Sequence, residues 1–460
     1  MNDSKPITPT NAVAMTAKPW HIQDGMRYGL LGLPLAFCAL PLYVLMPNLY
    51  AQQWGVSLAA LGFLLMGVRL FDALIDPWLG LLCDGLYAQS KQALFRISTL
   101  ACVALSIGFT ALFSPMTHDA HALLWWAGAA LVLTYTAYSF LSLAYHAWGA
   151  MLGGDAKFRS RVVAWRESFG LAGVLLATVT PTLAGITAMQ ILFVLTLWLG
   201  YAAWRMSTPP YGLLAVTTQA SHTTITPART SQDMRLPWKY AEFRRLLAVY
   251  LLNGIASAIP ATLVLFFLQD RLDASVAMQS AALGVYFLFA ALSMPIWLKA
   301  VARWGLVRVW LFGMLLSIAV FAGAGALGAG DIAWFLLVCA LSGAALGSDL
   351  TVPTAMLAGQ IQAQGPKQQT AGIYFGWWNF ASKLNLALAA GLALPLLGLL
   401  GYTPGARDAQ ASLLLTLAYC WLPCLLKTTA AVVLYFSFIQ PSTSVTSQTA
   451  PHSFFRDHTP

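Results

Sequence analysis

Long apolar segments recur along the whole chain of 460 residues, and they restrict its fold more than any other feature. A helix that crosses the hydrocarbon core of a bilayer needs about 20 consecutive apolar residues. Charged residues make up only 9% of the sequence, whereas a soluble domain carries about 25%. The sequence therefore predicts an all-α polytopic membrane protein. Its spans lie near residues 28–51, 57–83, 96–116, 121–152, 162–187, 188–206, 246–269, 276–298, 307–328, 332–357, 370–400 and 408–438.

The basic residues are distributed unevenly between the two sides of these twelve segments. If the N-terminus is cytoplasmic, twenty of the 25 lysines and arginines lie inside or at that boundary. Arg271 and Arg407 lie outside, and Arg69, Lys383 and Lys427 lie within spans. This bias follows the positive-inside rule. It predicts 12 transmembrane helices with cytoplasmic N- and C-termini, because a miscounted helix would disturb the alternation.

A polar segment separates the sixth apolar segment from the seventh, and it contains Ser, Thr, Pro and charged residues. Two six-helix halves joined by such a linker are the layout of the major facilitator fold, in which the halves pack around a central cavity. This step is an analogy of layout. The predicted regions are a cytoplasmic N-terminal tail at 1–26, the N-terminal half at 27–206, a cytoplasmic linker at 207–245, the C-terminal half at 246–440 and a disordered cytoplasmic tail at 441–460.

Three ionisable residues lie inside the second apolar segment, within eight positions of one another. On a helix, Asp72 and Asp76 are four residues apart and share a face, and Arg69 falls on the same side. A charge at the middle of a bilayer costs about 2.5–3.5 kcal/mol on insertion scales. We therefore expect these groups to face a polar pathway and to bind a coupling cation. A self-neutralising structural ion pair is the alternative.

Several stretches resemble the glycoside–pentoside–hexuronide:cation symporter family, the melibiose-permease branch of the major facilitators. The most specific is the Arg-x-x-Asp-x-x-x-Asp-Pro spacing in span two, together with a lysine in span eleven. Further similar stretches occur in both halves. The stretches are Arg27-Tyr28-Gly29-Leu30, Arg69 to Pro77, Gly80-x-x-x-Asp84, Asp155 to Glu167, and Gly376-Trp377-Trp378-Asn379-Phe380-Ala381-Ser382-Lys383.

The resemblance implies that Asp72 and Asp76 bind Na⁺ or H⁺ and that Arg69 and Lys383 are their charge partners. Depth supports a meeting of these groups. Asp72 lies 15 residues from the outer start of span two, and Lys383 lies 13 residues from the inner start of span eleven. At 1.5 Å per residue, these are depths of roughly 22 Å and 20 Å, so both groups fall near the middle of the membrane.

Two departures concern the solute. The sugar-transporting members use an acid in span one, where this chain has Ala36, and another in span four, where 121–152 has none. Carboxylates bind sugar hydroxyls through charge-assisted hydrogen bonds. The departures leave two transport functions open, namely a symporter of a sugar-like or glycoside-like organic solute and a carrier of amphiphiles or lysolipids.

Candidate solute contacts are aromatic and polar residues of four spans, and interfacial aromatic residues are an alternative explanation for several of them. Asp349 precedes Pro353 and is equally consistent with a structural cap. We expect Lys427 to extend toward the inner surface. The predicted cavity residues are Tyr145, Trp148, Asn253, Asp349, Trp377, Trp378 and Asn379, with Ser139 among the further polar groups of span four.

Charged residues near the predicted cytoplasmic ends of spans two, four and five are candidates for an inner gate. A plain positive-inside anchor is the competing explanation, and the two are compatible. The candidates are Asp84, Asp155, Arg159, Arg161 and Arg166.

The sequence thus predicts a cation-coupled secondary active symporter that works by alternating access. A membrane sensor or scaffold without transport is the remaining alternative. We find no His-rich metal set, nucleophile motif or Gly-rich phosphate loop, so we expect neither an enzyme nor a cofactor. The expected partners are a small solute, a monovalent cation and the lipid bilayer, without nucleic acid. We expect a monomer in the plasma membrane, as in a bacterial inner membrane.

Overall fold

The computed structural model describes residues 20–56, 58–117, 119–210, 233–364, 370–399, 402 and 408–440. Every regular element within these ranges is helical. Residues 1–19 of the predicted N-terminal tail, residues 211–232 of the linker and the predicted tail 441–460 lie outside the described residues.

The N-terminal half is built from helices that coincide with the predicted spans. The first span is divided, because a π-helical segment at Pro41–Leu45 interrupts it. In chain order the helices are α1 (Ile22–Gly29), α2 (Gly32–Leu40), α3 (Met46–Gln52), α4 (Leu58–Gln89), α5 (Lys91–Phe113), α6 (Ala120–Met151) and α7 (Ala156–Arg205).

Helix α7 contains both the fifth and the sixth predicted span. Its backbone breaks at Gly185, where φ is 83° and ψ is 174°. Glycine suits this position because a side chain disfavours positive φ. The two spans therefore meet at a sharp kink without an intervening loop, close to the predicted boundary at residue 187.

The C-terminal half begins after a short helix that ends the linker. Tyr240 has an extended backbone and separates this short helix from the next one. The helices are α8 (Leu236–Lys239), α9 (Ala241–Phe266), α10 (Val276–Trp304), α11 (Leu306–Ala324), α12 (Ile332–Ala363), α13 (Ala371–Leu399), α14 (Ala409–Thr416) and α15 (Leu422–Leu434), with π-helical segments at Phe267–Arg271, Leu417–Trp421 and Tyr435–Ile439.

Side-chain caps fix where several of the long helices begin. The Ser90 hydroxyl accepts a hydrogen bond from the Ala93 amide at 3.0 Å. The Asp119 carboxylate accepts from Ala122 at 2.9 Å. Such caps satisfy amide groups that have no partner inside the helix. They place the starts of α5 and α6 at the membrane boundaries that hydropathy indicates.

Nine segments within the described ranges are long and apolar enough to cross a membrane. They coincide with nine of the twelve predicted spans. The other three predicted spans correspond to α1–α3, α4 and α13. The all-helical membrane architecture is therefore confirmed, and the count of twelve spans stays a prediction.

The two halves meet along α4 and α13. Small residues make this approach possible. A side chain at Gly80 would overlap the carbonyl oxygen of Gly372, and one at Gly376 would lie 2.7 Å from the carbonyl oxygen of Asp76. Glycine lets helix backbones approach closely inside membranes. This contact carries the charged residues of α4 against those of α13.

Candidate functional site

A cluster of charged and polar side chains lies where α4, α6 and α13 meet. We call Asp72, Asp76, Ser139 and Lys383 the acid–lysine cluster. The Lys383 ammonium is 2.8 Å from Asp72 Oδ2 and 2.8 Å from Asp76 Oδ2. It also donates to Ser139 Oγ at 2.9 Å and to the Asp72 carbonyl oxygen at 3.1 Å. Four oxygens thus surround one positive charge, and the lysine joins the C-terminal half to the N-terminal half.

The cluster is buried, although it is not sealed. Asp72 and Asp76 are 3% and 0% exposed, whereas the Lys383 side chain is 21% exposed. Ser139 donates to Asp72 Oδ1 at 2.7 Å. Asp76 is less well satisfied: its Oδ2 lies 2.8 Å from the Lys383 ammonium, whereas its Oδ1 has no hydrogen-bond donor among the described residues. A buried carboxylate in that position favours an additional positive charge or a proton.

The charges of the cluster do not balance when its groups have their usual ionisation. Two carboxylates and one ammonium leave one negative charge. An uncompensated buried charge costs several kcal/mol. The arrangement can therefore gain stability from one monovalent cation or from one proton.

The oxygen-rich donor set indicates which cations could bind. Carboxylate, hydroxyl and carbonyl oxygens are the ligands of hard cations. Across the described residues, no group of three or more His, Cys, Asp or Glu side chains is arranged to hold a metal ion. The binding of Na⁺ or H⁺ by this cluster stays a prediction.

Arg69 lies on α4, one turn before Asp72. Its side chain is exposed, unlike the buried acids that it was predicted to neutralise. In this structure Lys383 makes the ion pairs with those acids. The role of Arg69 as a charge partner stays a prediction.

A second ion pair lies entirely within the C-terminal half. The Lys427 ammonium on α15 is 2.8 Å from Asp349 Oδ2 on α12. It also donates to Asn253 Oδ1 at 2.9 Å and to Ser257 Oγ at 3.0 Å, both on α9. We call Asp349 and Lys427 the C-terminal pair. It is electrically neutral.

The expectation that Lys427 extends to the inner surface is wrong. The residue is 3% exposed and all three of its donors have acceptors. The Lys427 ammonium can stay buried because its three hydrogen bonds, one of them to the Asp349 carboxylate, compensate the loss of its hydration.

The predicted aromatic cavity residues have mainly packing contacts in this structure. Tyr145 and Trp148 are fully buried. Tyr145 donates to the Tyr28 carbonyl oxygen at 2.7 Å, and Trp148 donates to the Thr208 carbonyl oxygen at 3.2 Å. Both lie in the aromatic packing of the N-terminal half. Their role in binding solute stays a prediction.

The residues that precede Lys383 on α13 differ from one another. Trp377 is half-buried and donates to the Met234 carbonyl oxygen of the linker at 2.9 Å. Trp378 is buried and stacks on Tyr250, with ring centroids 3.8 Å apart. Asn379 is half-buried. Trp378 is thus the aromatic residue of this segment that lies between α13 and α9.

Two of the predicted gate residues connect the halves at the end that the charge bias assigns to the cytoplasm. Asp84 accepts hydrogen bonds from the amides of Gly372 and Ile373, at 2.7 and 3.0 Å, and so caps α13. Arg159 on α7 donates to the Ala355 carbonyl oxygen at 3.3 Å and to Gln362 Oε1 at 2.9 Å, both on α12. We call the contacts of Asp84 and Arg159 the inner latch.

The other three gate candidates contact residues of their own half. Asp155 caps α7 through the Phe158 amide at 2.8 Å. Arg161 donates to the Trp20 carbonyl oxygen at 3.1 Å. Arg166 is buried and pairs with Glu167 at 2.5 Å. These contacts shape the N-terminal half and do not cross to the other one.

Sequence reasoning left two features of the site undetected. Ser139 was one of several polar groups in span four, and no spacing connected it to Asp72. The hydrogen bond between Lys427 and Asp349 joins spans ten and twelve, and the two residues are 78 positions apart in the sequence. In both cases a buried ionisable residue in a span was the available signal, because such a residue needs a partner.

The family match defines the class of this protein as a membrane transporter. The sequence matches the family described as MFS/sugar transport protein over residues 25–440. It is 27% identical over 156 residues to the putative glycoside/cation symporter YagG of Escherichia coli strain K12, an alignment that covers 34% of this chain and 33% of YagG. The alignment therefore spans about a third of that relative's length.

Solved structures share the fold of this chain. A bacterial homologue of the iron transporter ferroportin, in its outward-facing state, has a TM-score of 0.66 at 15% identity and covers 90% of this chain and 99% of its own. A structure of the Escherichia coli fucose:proton symporter FucP has a TM-score of 0.59 at 14% identity, covering 91% and 99%. At these identities the likeness shows the fold alone.

The chain belongs to the MFS/sugar transport protein family. The predicted relationship to the glycoside/cation symporters of the major facilitator superfamily is confirmed. The protein is a multi-pass transporter of the plasma membrane and not an enzyme.

Proposed function

We propose that this protein is a cation-coupled symporter of a sugar-like or glycoside-like organic solute, which it moves by alternating access. The observation that carries the proposal is the position of the Lys383 ammonium, which lies 2.8 Å from both Asp72 and Asp76. The Lys383 ammonium therefore already contacts some of the oxygens that a coupling ion would use. The coupling ion is Na⁺ or H⁺.

Charge balance explains how ion binding could affect both halves. One Na⁺ near Asp76, or one proton on it, neutralises the cluster. The added positive charge also weakens the attraction of the two acids for Lys383, because it offsets part of the negative charge that holds the ammonium. Lys383 belongs to α13 and the acids belong to α4, so this change acts on the contact between the halves. The lysine is then available to contact solute.

The inner latch gives the second part of the cycle. While Asp84 caps α13 and Arg159 bonds to α12, the cytoplasmic ends of the two halves are held together. Release of solute to the cytoplasm requires those bonds to break. In this proposal the chain has twelve spans with both termini cytoplasmic, divided at 27–206 and 246–440, and it works as a monomer.

An amphiphile or lysolipid carrier is the second candidate. One sequence observation favours it: Ala36 occupies the position of a sugar-binding acid, and α6 has no acid along its length. The ion chemistry of the acid–lysine cluster would be the same for either solute.

Uptake into proteoliposomes under imposed Na⁺ and pH gradients tests the proposal. We expect one of the two gradients to drive accumulation of a labelled sugar or glycoside, and Asp72→Asn and Asp76→Asn to abolish that accumulation. Asp119→Asn is the matched control, because asparagine also caps a helix and Asp119 lies away from the cluster. Accumulation of labelled lysolipid instead of sugar would favour the second candidate. Gradient-driven uptake that survives in both cluster variants would end the coupling proposal.

A further inference from the structure

A positively charged cleft lies on the N-terminal half, between the start of α5 and the end of α7. We call it the basic cleft. It lies at the end that the charge bias assigns to the cytoplasm, and it has a volume of about 510 Å³. Three of its lining residues are basic, and no acidic side chain of the described residues lines it. The lining residues are Lys91, Gln92, Phe95, Arg96, Thr99 and Arg205.

The Phe95 ring brings two of these cations close together. The Lys91 ammonium lies 5.7 Å from the centroid of the ring, and the Arg205 guanidinium lies 5.8 Å from the same centroid. Lys91 belongs to α5 and Arg205 to α7, so the two helices each supply a charge of the same sign. Like charges at this separation repel each other. An anion between them would therefore stabilise the contact between the two helices.

Hydrogen bonds hold α5 and α7 together at the basic cleft. The hydroxyl groups of Thr99 and Tyr201 are 2.6 Å apart, and Tyr201 also donates to the Phe95 carbonyl oxygen at 2.8 Å. Lys91 and Gln92 occupy the first turn of α5, where the helix dipole adds a partial positive charge. The cleft is thus a preformed cationic site and not a chance meeting of mobile side chains.

Exposed apolar side chains continue from the basic cleft toward the middle of the membrane. On α5 they follow Arg96 by four, seven and eleven residues, and on α7 they precede Arg205 by three, ten and fourteen residues. These spacings place them close to the helix faces that carry the two arginines. We call them the apolar stripes, and they comprise Leu100, Val103 and Ile107 on α5 and Ile191, Leu195 and Ala202 on α7.

We propose that the basic cleft binds the headgroup of an anionic phospholipid of the cytoplasmic leaflet, such as phosphatidylglycerol. The lipid phosphate lies among Lys91, Arg96 and Arg205, and its acyl chains follow the apolar stripes. Charge-assisted hydrogen bonds make such phosphate contacts strong, and basic pockets between transmembrane helices recognise acidic headgroups. The lipid ties α5 to α7 and is not the transported solute. This inference depends only on the membrane location of the protein.

Charge and shape together favour an anionic lipid over other ligands. A free phosphate ion would pair with the three basic residues but would leave the apolar stripes without a partner. A zwitterionic lipid would cover the stripes, but its own cationic group would offset the attraction of its phosphate to the cleft. An anionic phospholipid is complementary to both parts of the surface.

Lipid binding by the purified full-length protein in a nonionic detergent tests this proposal. Native mass spectrometry should show one phosphatidylglycerol retained per chain, and added phosphatidylglycerol should raise the melting temperature. Phosphatidylcholine should need a mole fraction about tenfold higher or more for the same rise. Equal retention of the two lipids would overturn the proposal. Equal stabilisation by glycerol phosphate, which has no acyl chains, would identify a free-anion site and refute the lipid assignment.

Matched substitutions locate the lipid. Lys91→Gln with Arg205→Gln should raise the phosphatidylglycerol mole fraction needed for half-maximal stabilisation about tenfold or more, since each basic residue near an anionic headgroup adds to the attraction. Lys157→Gln with Arg303→Gln is the control, because it removes the same charge from exposed positions on α7 and α10. The control should bind like the wild type. An equal loss in both double variants would show a general surface effect and contradict the site.

Photocrosslinking of the wild-type protein tests the site even if the cleft variant does not fold. The probe is phosphatidylglycerol with a photoreactive group in one acyl chain. Peptide mass spectrometry should find the label within residues 100–107 of α5 or 191–202 of α7, and an excess of unlabelled phosphatidylglycerol should remove it. Labelling confined to the C-terminal half, or labelling that the excess does not reduce, would overturn the proposal.

Discussion

The two buried ion clusters of this transporter differ in charge and in what they connect. The acid–lysine cluster joins α4 and α6 to α13 across the two halves, and it has one more negative group than positive ones. The C-terminal pair joins α12 to α15 within one half and is balanced. A balanced pair inside one body can persist through a rigid-body movement. An unbalanced cluster between two bodies can respond to an added cation, and our proposal therefore gives the coupling role to the acid–lysine cluster.

Removal of Lys383 should have the largest effect. Lys383→Met leaves two buried carboxylates without their internal cation, and breaking a buried ion pair in this way costs about 3–5 kcal/mol. We expect a strongly lowered melting temperature and no coupled uptake. Lys299→Met is the control, because Lys299 is exposed on α10. Wild-type uptake and stability in Lys383→Met would show that Lys383 does not compensate the charges of Asp72 and Asp76.

An Asp→Asn substitution should destabilise the C-terminal pair much more than the acid–lysine cluster. Asp349→Asn leaves Lys427 unbalanced and should reduce stability by about 3 kcal/mol or more. Asp76→Asn leaves the neutral pair of Asp72 and Lys383, and should cost less than about 1 kcal/mol in the absence of a coupling ion. Thermal unfolding in matched detergent compares them. Equal destabilisation by both substitutions would show that the charge difference has no energetic consequence.

The inner latch should respond more moderately. Arg159→Gln removes hydrogen bonds between α7 and α12, and each bond to a charged group contributes about 1.5–3 kcal/mol. We expect a shift toward conformations open to the cytoplasm, measured as faster thiol labelling of buried Cys83 from that side. Arg161→Gln is the matched control, since Arg161 contacts Trp20 of its own half. Equal labelling of the two variants would argue against the latch.

Ser139 should give the smallest effect. Ser139→Ala removes one donor to Asp72 and one acceptor of Lys383, and a typical hydrogen bond contributes about 0.5–1.5 kcal/mol. We expect a several-fold change in the concentration of coupling ion that gives half-maximal uptake, with the maximal rate retained. Ser142→Ala, one turn further along α6, should leave that concentration unchanged. An identical shift in both variants would indicate a general effect on α6.

The sequence allowed the acid–lysine cluster to be located but did not reveal the C-terminal pair. The resemblance to the cation symporters implied that Lys383 pairs with Asp72 and Asp76, and membrane depth, which can be read from single segments, supported that pairing. The pairing of Lys427 with Asp349 depends on how α12 packs against α15, which local pattern does not encode. Residue type also does not determine which face of α6 packs and which lines a cavity, so the assignment of Tyr145 and Trp148 to the cavity stays a prediction.

The fold followed from the sequence more completely than the site did. Apolar length and charge bias are strong signals for membrane helices, and the boundary predicted near residue 187 lies close to the observed break at Gly185. The division of the first span at Pro41–Leu45 was not predicted, because a π-helical segment has the same apolar composition as its neighbours.

Cation stoichiometry of the purified protein tests the central claim most directly. Na⁺ binding by titration calorimetry, with proton uptake followed in weakly buffered solution, should show one cation or one proton per chain for the wild type and for Asp119→Asn. Asp76→Asn should bind none, because its cluster is already neutral. Undiminished binding in Asp76→Asn, or a wild-type protein that takes up neither ion, would contradict the account.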